Sequence, residues 1–258
     1  DEMLEQCKVM QEKGVTEYCL AEPFEERWVA CNELHFWTYS FGGEFIDEDY
    51  HIIWNDPERG AVEALQFLTD AMKNGFMDPA GLTYKQIDQQ DIFLAGEIPF
   101  FTQAWPGVYA YAQDPELSQI VGQVGISLVP GKEEGMTAAL TLPEAFSIPL
   151  KAKNKELSWK LIEFLGSRDV NKRMAVEIGA LPIYIDMYTD PELLELYPYW
   201  EEFAVQMETA RGLTQVTWYT TFADVAGVEV QAALAGEKTA QEALDAAAEA
   251  LAEYDGKP

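Results

Sequence analysis

The chain has 258 residues, enough for one large domain or two small ones. With 48% hydrophobic and 12% aromatic residues it can bury a sizeable core, which excludes disorder as its main state. Seventeen basic against 45 acidic residues leave a net charge of −28, a balance that repels nucleic-acid phosphates and anionic lipid and so argues against both as partners.

No apolar run of about 20 residues is present, so no membrane-spanning helix is expected. No secretory signal opens the chain. Residues 1–13 read as helix at once, with Met3, Leu4, Cys7 and Met10 on one stripe and Gly14 as the stop, which suggests a piece of something longer. The cysteines are Cys7, Cys19 and Cys31. An odd count permits one internal bridge or three free thiols, and the sequence leaves both open.

Residues 17–21 read as a short strand, and a helix over about 25–40 carries Trp28, Leu34, His35 and Trp37 and stops at Phe41-Gly42-Gly43. Residues 47–50 form an acidic turn without the alternating acids or closing glutamate of a calcium loop. Asn55-Asp56-Pro57-Glu58 is a helix start, with a cap, a proline at the first position and acid in the first turn. Val62, Leu65, Leu68 and Met72 mark its buried stripe, and Asn74-Gly75 ends it. A short helix is expected over 88–94.

The stretch from Ala95 to Gly107 then runs through an acidic turn and the apolar Ile98-Pro99-Phe100-Phe101 to Trp105-Pro106-Gly107. Pro106 suits a helix start, so a helix is expected over 108–112 with Trp105 at its mouth. A flat aromatic at a strand-to-helix junction can meet a ligand, although taken alone its residue type favours the core.

Residues 123–129 alternate like a strand, and Pro130-Gly131 begins a polar turn to Gly135. Residues 137–150 are extended. Asn154 caps a helix in which Leu157, Leu161, Phe164 and Leu165 recur at heptad-like spacing, and Gly166-Ser167 separates it from a second helix that ends at Gly179. An extended linker reaches Tyr188. Asp190-Pro191-Glu192 restarts helix, interrupted at Pro198, to about residue 210. A helix over 220–235 follows a looser segment, and Thr239 with Glu242 forms a capping box for the last helix, with Leu244, Ala247 and Leu251 inward. Strands alternating with helices predict an α/β fold with helices on a parallel or mixed sheet.

His35 and His51 are too few and too far apart for a metal site, and no CxxC or HExxH is present, so neither metal nor cofactor is expected. His35 reads as a satisfied core group. Trp37, Trp54, Trp159 and Trp200 lie on faces where burial is the default.

The order of segments resembles the C-terminal two-thirds of the family 1 extracellular solute-binding proteins, the maltose- and trehalose-binding type that serves ABC importers. The resemblance rests on Phe41-Gly42-Gly43-Glu44-Phe45, the Asn55 to Glu58 start, and Phe93-Leu94-Ala95-Gly96-Glu97-Ile98 running to Trp105. It continues through Pro143-Glu144-Ala145-Phe146, Lys153 to Trp159, Gly179-Ala180-Leu181-Pro182, Asp190 to Leu193, and Ala233 to Thr239 with Glu242 to Leu244. Leu142-Pro143 stands where the family has a Gly-Gly pair. About one domain's length of the family's N-terminal part has no counterpart.

The resemblance implies an α/β, type II periplasmic-binding-protein-like fold, mostly the second lobe plus a helical segment of the first. Residues 1–139 and 187–258 would form the second, C-terminal ligand-binding lobe, and residues 140–186 the crossover and helices of an incomplete first lobe. Ligand would lie in the interlobe cleft. Those first-lobe helices would dock irregularly, pair with a second chain, or await a separate N-terminal segment. The implied protein is bacterial and extracytoplasmic, periplasmic or a cell-surface lipoprotein, and its partners are a carbohydrate ligand and the membrane subunits of an ABC importer.

A sugar cleft needs aromatic rings for C–H faces beside planar polar groups for hydroxyls. By resemblance, Trp105 is the ring that stacks on sugar, Phe24, Glu25 and Trp28 line the cleft, and Glu144 at the crossover supplies a polar contact. Trp218 and Tyr219 close the far end, and Gln103 lies beside Trp105. The function expected is non-catalytic binding of a carbohydrate, an oligosaccharide given the aromatics. The alternatives are a polyamine or other small polar solute in the same fold, a glycoside hydrolase-like enzyme using paired carboxylates, and a protein-interaction module.

Overall fold

A computed structural model describes residues 2–102 and 104–258. In chain order the helices are α1 (Glu2–Glu12), α2 (Arg27–Ser40), α3 (Ala61–Lys73), α4 (Gln86–Leu94), α5 (Gly107–Ala112), α6 (Lys155–Leu165) and α7 (Arg168–Ile178). They continue as α8 (Pro191–Leu196), α9 (Trp200–Glu208), α10 (Tyr219–Leu234) and α11 (Ala240–Ala250). The two strands, β1 (Ala139–Leu140) and β2 (Ala210–Arg211), pair in parallel. The chain forms two compact units: Asp1–Gln103, Val129–Thr141 and Thr209–Pro258 make the first, and Ala104–Leu128 with Leu142–Glu208 the second.

The first unit is built around α2. Every residue of α2 from Val29 to Ser40 is buried, including the polar Asn32, Glu33, His35, Thr38 and Ser40, so the helix is enclosed by its neighbours on every side. It packs against α3 and α10, and α11 closes the layer against both α3 and α10. Alanines at the seams of α3, α10 and α11 keep the helices close. The closest approach is at Gly227 of α10, where an added Cβ would lie 2.2 Å from the Arg27 carbonyl oxygen, so only glycine fits.

Local start and stop signals operate largely as the sequence suggests. Asn154 accepts from the Leu157 N–H, Ser167 from Val170, and Asp190 from Glu192, opening α6, α7 and α8. Thr239 and Glu242 exchange hydrogen bonds in a capping box at α11. Gly42, Gly75 and Gly179 take positive φ at the ends of α2, α3 and α7.

The helix signalled at Asn55-Asp56-Pro57-Glu58 does not run on. Asp56 caps a 3-10 turn over Pro57–Arg59, and Gly60 at φ 83° breaks it before α3. The tertiary contact explains the break: a Cβ on Gly60 would meet the Gly43 Cα at 2.8 Å, so the chain turns to let two backbones touch. The buried stripe of α3 accordingly falls on Ala61, Ala64, Leu65, Leu68 and Ala71, with Val62 and Met72 partly covered.

The expected strands are mostly extended segments without a ladder. Residues 17–21 contribute one parallel bridge, Leu20 to Met77, and Phe100 N–H donates to the Cys19 carbonyl. Residues 123–129 keep an alternation of exposed and half-buried positions but form no strand. Period-two alternation specifies faces, whereas a strand also needs a partner backbone in register.

Cys7 and Cys19 form a disulfide, and Cys31 is a buried free thiol, which decides between the alternatives left open by the count. The second unit has a small core of Ala175, Met187, Leu193, Tyr197 and Trp200, with Tyr197 stacked on Trp200 at 5.0 Å. α6 buries none of its residues. Of its apolar stripe, Leu157, Leu161 and Phe164 are exposed and Leu165 is half-buried, and Trp159 is 54% exposed, against the expectation of burial for that tryptophan.

Candidate ligand-binding site

In the first unit, the predicted residues Phe24, Glu25 and Trp28 sit where an extended segment enters α2. Glu26 holds extended backbone before Arg27, so α2 begins immediately ahead of Trp28. The Gln231 side-chain amide, from α10, donates to the Phe24 carbonyl at 2.6 Å and the Glu25 carbonyl at 2.9 Å, which fixes the segment's path. Trp28 is 47% exposed, Glu25 is exposed with Lys85 at 3.7 Å, and the Phe24 ring is wholly within the core.

Tyr219 opens α10, and its hydroxyl lies 3.3 Å from the Asn32 side-chain oxygen, to which it donates. Asn32 is one turn on from Trp28 along α2, so Tyr219 and Trp28 flank neighbouring positions of the same helix. Trp218 is buried: its indole N–H donates to the Lys257 carbonyl at 2.9 Å and its ring stacks on Tyr254.

In the second unit, Trp105 is 40% exposed at the mouth of α5, where the sequence places it. Gly107 lets the helix start close to the indole: an added Cβ would lie 3.2 Å from the Trp105 nitrogen and 3.2 Å from the Ile178 carbonyl oxygen. Glu144 is exposed on the extended segment before α6. Gln103 lies outside the described residues.

Sequence reasoning missed a carboxyl beside the predicted segment. Glu22 is fully buried, and its oxygens accept from the Gln89 amide at 2.8 Å and the Thr102 hydroxyl at 2.5 Å, with the Glu33 carboxyl alongside. Burial outweighs those hydrogen bonds and raises its pKa above the ordinary glutamate value. The signal was an acid closing the apolar run Tyr18-Cys19-Leu20-Ala21 immediately before Pro23.

Deeper in the first unit, His35 is fully buried and stacks on Phe45 at 4.1 Å. Its Nδ1 donates to the Cys31 carbonyl at 2.8 Å, so Nε2 is the acceptor for the Thr214 hydroxyl at 2.9 Å. Burial lowers the imidazole pKa to about 4 and raises that of the neighbouring Cys31 thiol to about 12. Both are therefore neutral at pH 7, and the pair is structural rather than a thiolate with its base. Among the described residues no group of three or more His, Cys, Asp or Glu is placed to hold a metal ion.

An open groove of about 530 Å3 elsewhere on the first unit is lined by Tyr39, Glu44, Asp47, Tyr50, Arg211 and Thr214 among others, and by none of the predicted residues. Arg211 is already engaged there: it lies 4.1 Å over the Tyr39 ring, pairs with Glu44 and donates to the Gly43 carbonyl.

Residues 1–172 match the model of the family described as bacterial extracellular solute-binding protein. The chain belongs to that family. A probable ABC transporter-binding protein of Deinococcus radiodurans is 30% identical over 173 residues, covering 66% of this chain and 40% of the relative. A putative binding protein of Brucella abortus is 22% identical over 189 residues, covering 66% and 44%.

Among solved structures, maltose-bound T. maritima MalE3 superposes with a TM-score of 0.83 at 30% identity, covering 98% of this chain and 64% of that one. An Agrobacterium radiobacter solute-binding protein in complex with ribitol gives 0.80 at 22% identity, covering 96% and 63%. The fold is therefore α/β and of the type II periplasmic-binding-protein kind, in a chain that is mostly helix. The chain spans under half the length of these curated relatives and under two thirds of these solved ones. No helix among the described residues is long and apolar enough to cross a membrane.

Proposed function

We propose that the chain is part of the substrate-binding component of a bacterial ABC importer, acting outside the cytoplasm and holding a carbohydrate, an oligosaccharide by preference, without transforming it. The observation that carries the reading is the half-exposed Trp105 indole at the start of α5, in a chain whose family and fold are those of solute-binding proteins. A half-exposed ring just ahead of a short helix offers an apolar face to sugar C–H groups at little entropic cost.

Trp28 and Tyr219 supply further aromatic edges, and Glu25 and Glu144 polar groups, while Phe24 and Trp218 act by shaping the backbone beneath them. Gln103 belongs to the proposed contacts by its sequence position beside Trp105. In the whole protein, residues 1–139 and 187–258 are proposed as the second lobe and residues 140–186 as part of the first. The exposed face of α6 supports that division: Leu157, Leu161 and Phe164 recur at helical spacing and want an apolar partner, which further polypeptide of the first lobe would provide.

A thermal-shift screen tests the reading, run with maltose, maltotriose, ribitol and spermidine on this chain and on one extended to its relatives' length. Ligand that binds the native state alone raises the melting temperature by mass action. Oligosaccharide is expected to give the largest rise in the extended chain and a weaker one here. A response to spermidine alone would replace sugar by a cationic solute, and hydrolysis of maltotriose, followed by chromatography, would overturn the non-catalytic assignment.

A further inference from the structure

The disulfide joins two parts of the first unit that are held very differently. Cys19 is anchored on the core side: its N–H donates to the Phe76 carbonyl at 2.8 Å and its carbonyl accepts from Phe100 N–H, beside the Leu20–Met77 bridge. Cys7, on α1, is the one fully buried residue of that helix. Glu2, Glu5, Gln6, Lys8, Val9 and Glu12 are exposed, and Met3, Leu4, Met10 and Gln11 are half-covered.

The non-covalent ties of α1 are correspondingly few. The Gln11 amide donates to the Gly75 and Glu17 carbonyls, each at 2.7 Å, and Met3 reaches the edge of the core. An isolated helix of this length is marginal in water, so α1 persists only while something holds it. α2 offers the contrast, since its own cysteine, Cys31, is buried without a bridge and the helix is held by packing on every side.

We infer that the Cys7–Cys19 disulfide is a latch for α1, and that its reduction releases residues 2–12 while the helical core of α2, α3, α10 and α11 stays folded. The reductant is a dithiol. Its thiolate attacks one cystine sulfur when α1 frays, a mixed disulfide forms, and its second thiol displaces the remaining cysteine thiolate. Two electrons and two protons pass from the dithiol to Cys7 and Cys19, and the dithiol closes into a cyclic disulfide. The hydrogen bonds of Cys19 to Phe76 and Phe100 are not part of the exchange and keep the following segment in place. The product is a chain with α1 released from the core and two accessible thiols, a redox-dependent state that does not depend on what ligand the protein binds.

The test is peptide-resolved hydrogen exchange on the whole chain, with and without dithiothreitol, together with alkylation under native conditions. Reduction is expected to speed exchange of residues 2–12 by roughly tenfold or more and to leave residues 27–40 unchanged. Two cysteines should alkylate, with Cys31 protected. The C7S/C19S double variant should show the same pattern without reductant, and Gln11→Ala in the oxidised chain should leave α1 protected. Unchanged protection of residues 2–12 after reduction would overturn the proposal, and so would equal acceleration of residues 27–40, which would make the bridge a determinant of the whole unit.

Discussion

α2 and α6 carry similar apolar side chains and meet opposite fates. α2 brings Leu34, Phe36 and Trp37 into a core shared with α3 and α10, whereas α6 leaves Leu157, Trp159, Leu161 and Phe164 in solvent. Amphipathic spacing specifies which face of a helix wants cover, but burial requires a complementary surface within reach. The first unit supplies one from segments far apart in sequence, since α2 ends at Ser40 and α10 does not begin until Tyr219.

Truncating one residue on each helix separates the two cases most directly. Trp37→Ala should cost about 3–5 kcal/mol in urea unfolding, because it opens a cavity beside Phe36 and Phe67. Phe164→Ala, at the foot of this ranking, should stay within about 0.5 kcal/mol, since its ring is exposed. Equal losses would mean that α6 is packed as firmly as α2.

Glu22 tests the electrostatic side of the same core. Its pKa is raised in the folded state above the ordinary value of 4.5, chiefly by burial and against the hydrogen bonds from Thr102, Gln89 and Glu33. The folded state therefore holds the proton more tightly than the unfolded chain. Stability is greatest at and below the unfolded pKa and falls as pH rises through the folded one. Glu22→Gln should flatten that decline in denaturation series from pH 4.5 to 8, and an unchanged slope would place the titration elsewhere.

Trp105 sharpens the contrast from the second unit. Trp105→Ala should weaken carbohydrate binding by about 1–3 kcal/mol, taking stacking of bases on aromatics as the analogue. Calorimetry on the extended chain would measure the loss, and stability should change by under about 0.5 kcal/mol. A large stability loss with unchanged affinity would make it a packing residue. Thr239→Ala removes one half of the α11 capping box and should cost about 1 kcal/mol, read from the urea midpoint.

Much of this was legible locally. The caps at Asn154, Ser167, Asp190 and Thr239, the glycine stops and the helix at Trp105-Pro106 depend on groups within a few residues of one another, so the sequence carries them intact. His35 was legible as a core group because so few histidines and no partner ligands accompany it, and the structure seats it between Cys31 and Thr214. What failed were judgements that depend on distant partners: the strands at 17–21 and 123–129, the helix run through Gly60, and the burial of Trp159.

The candidate site divides in the same way. Trp28 and Trp105 could be marked from their position at helix entries, and both emerge half-exposed. Trp218 is drawn inward by Lys257 and Tyr254, and the carboxyl of Glu22 is buried against Gln89 and Thr102, contacts between segments that no local pattern links.

The sequence alone determined most helix caps and stops, which faces are apolar, and the acidic, aromatic-rich composition, because these follow from short-range hydrogen bonding, steric limits and residue content. Only the tertiary structure decided which apolar faces find cover, that Cys7 joins Cys19 while Cys31 stays free, that Gly60 breaks a helix against Gly43, and that a glutamate beside the predicted binding segment loses its water. Those outcomes are set by contacts between residues tens to hundreds of positions apart, whose energies appear only once the chain has closed on itself.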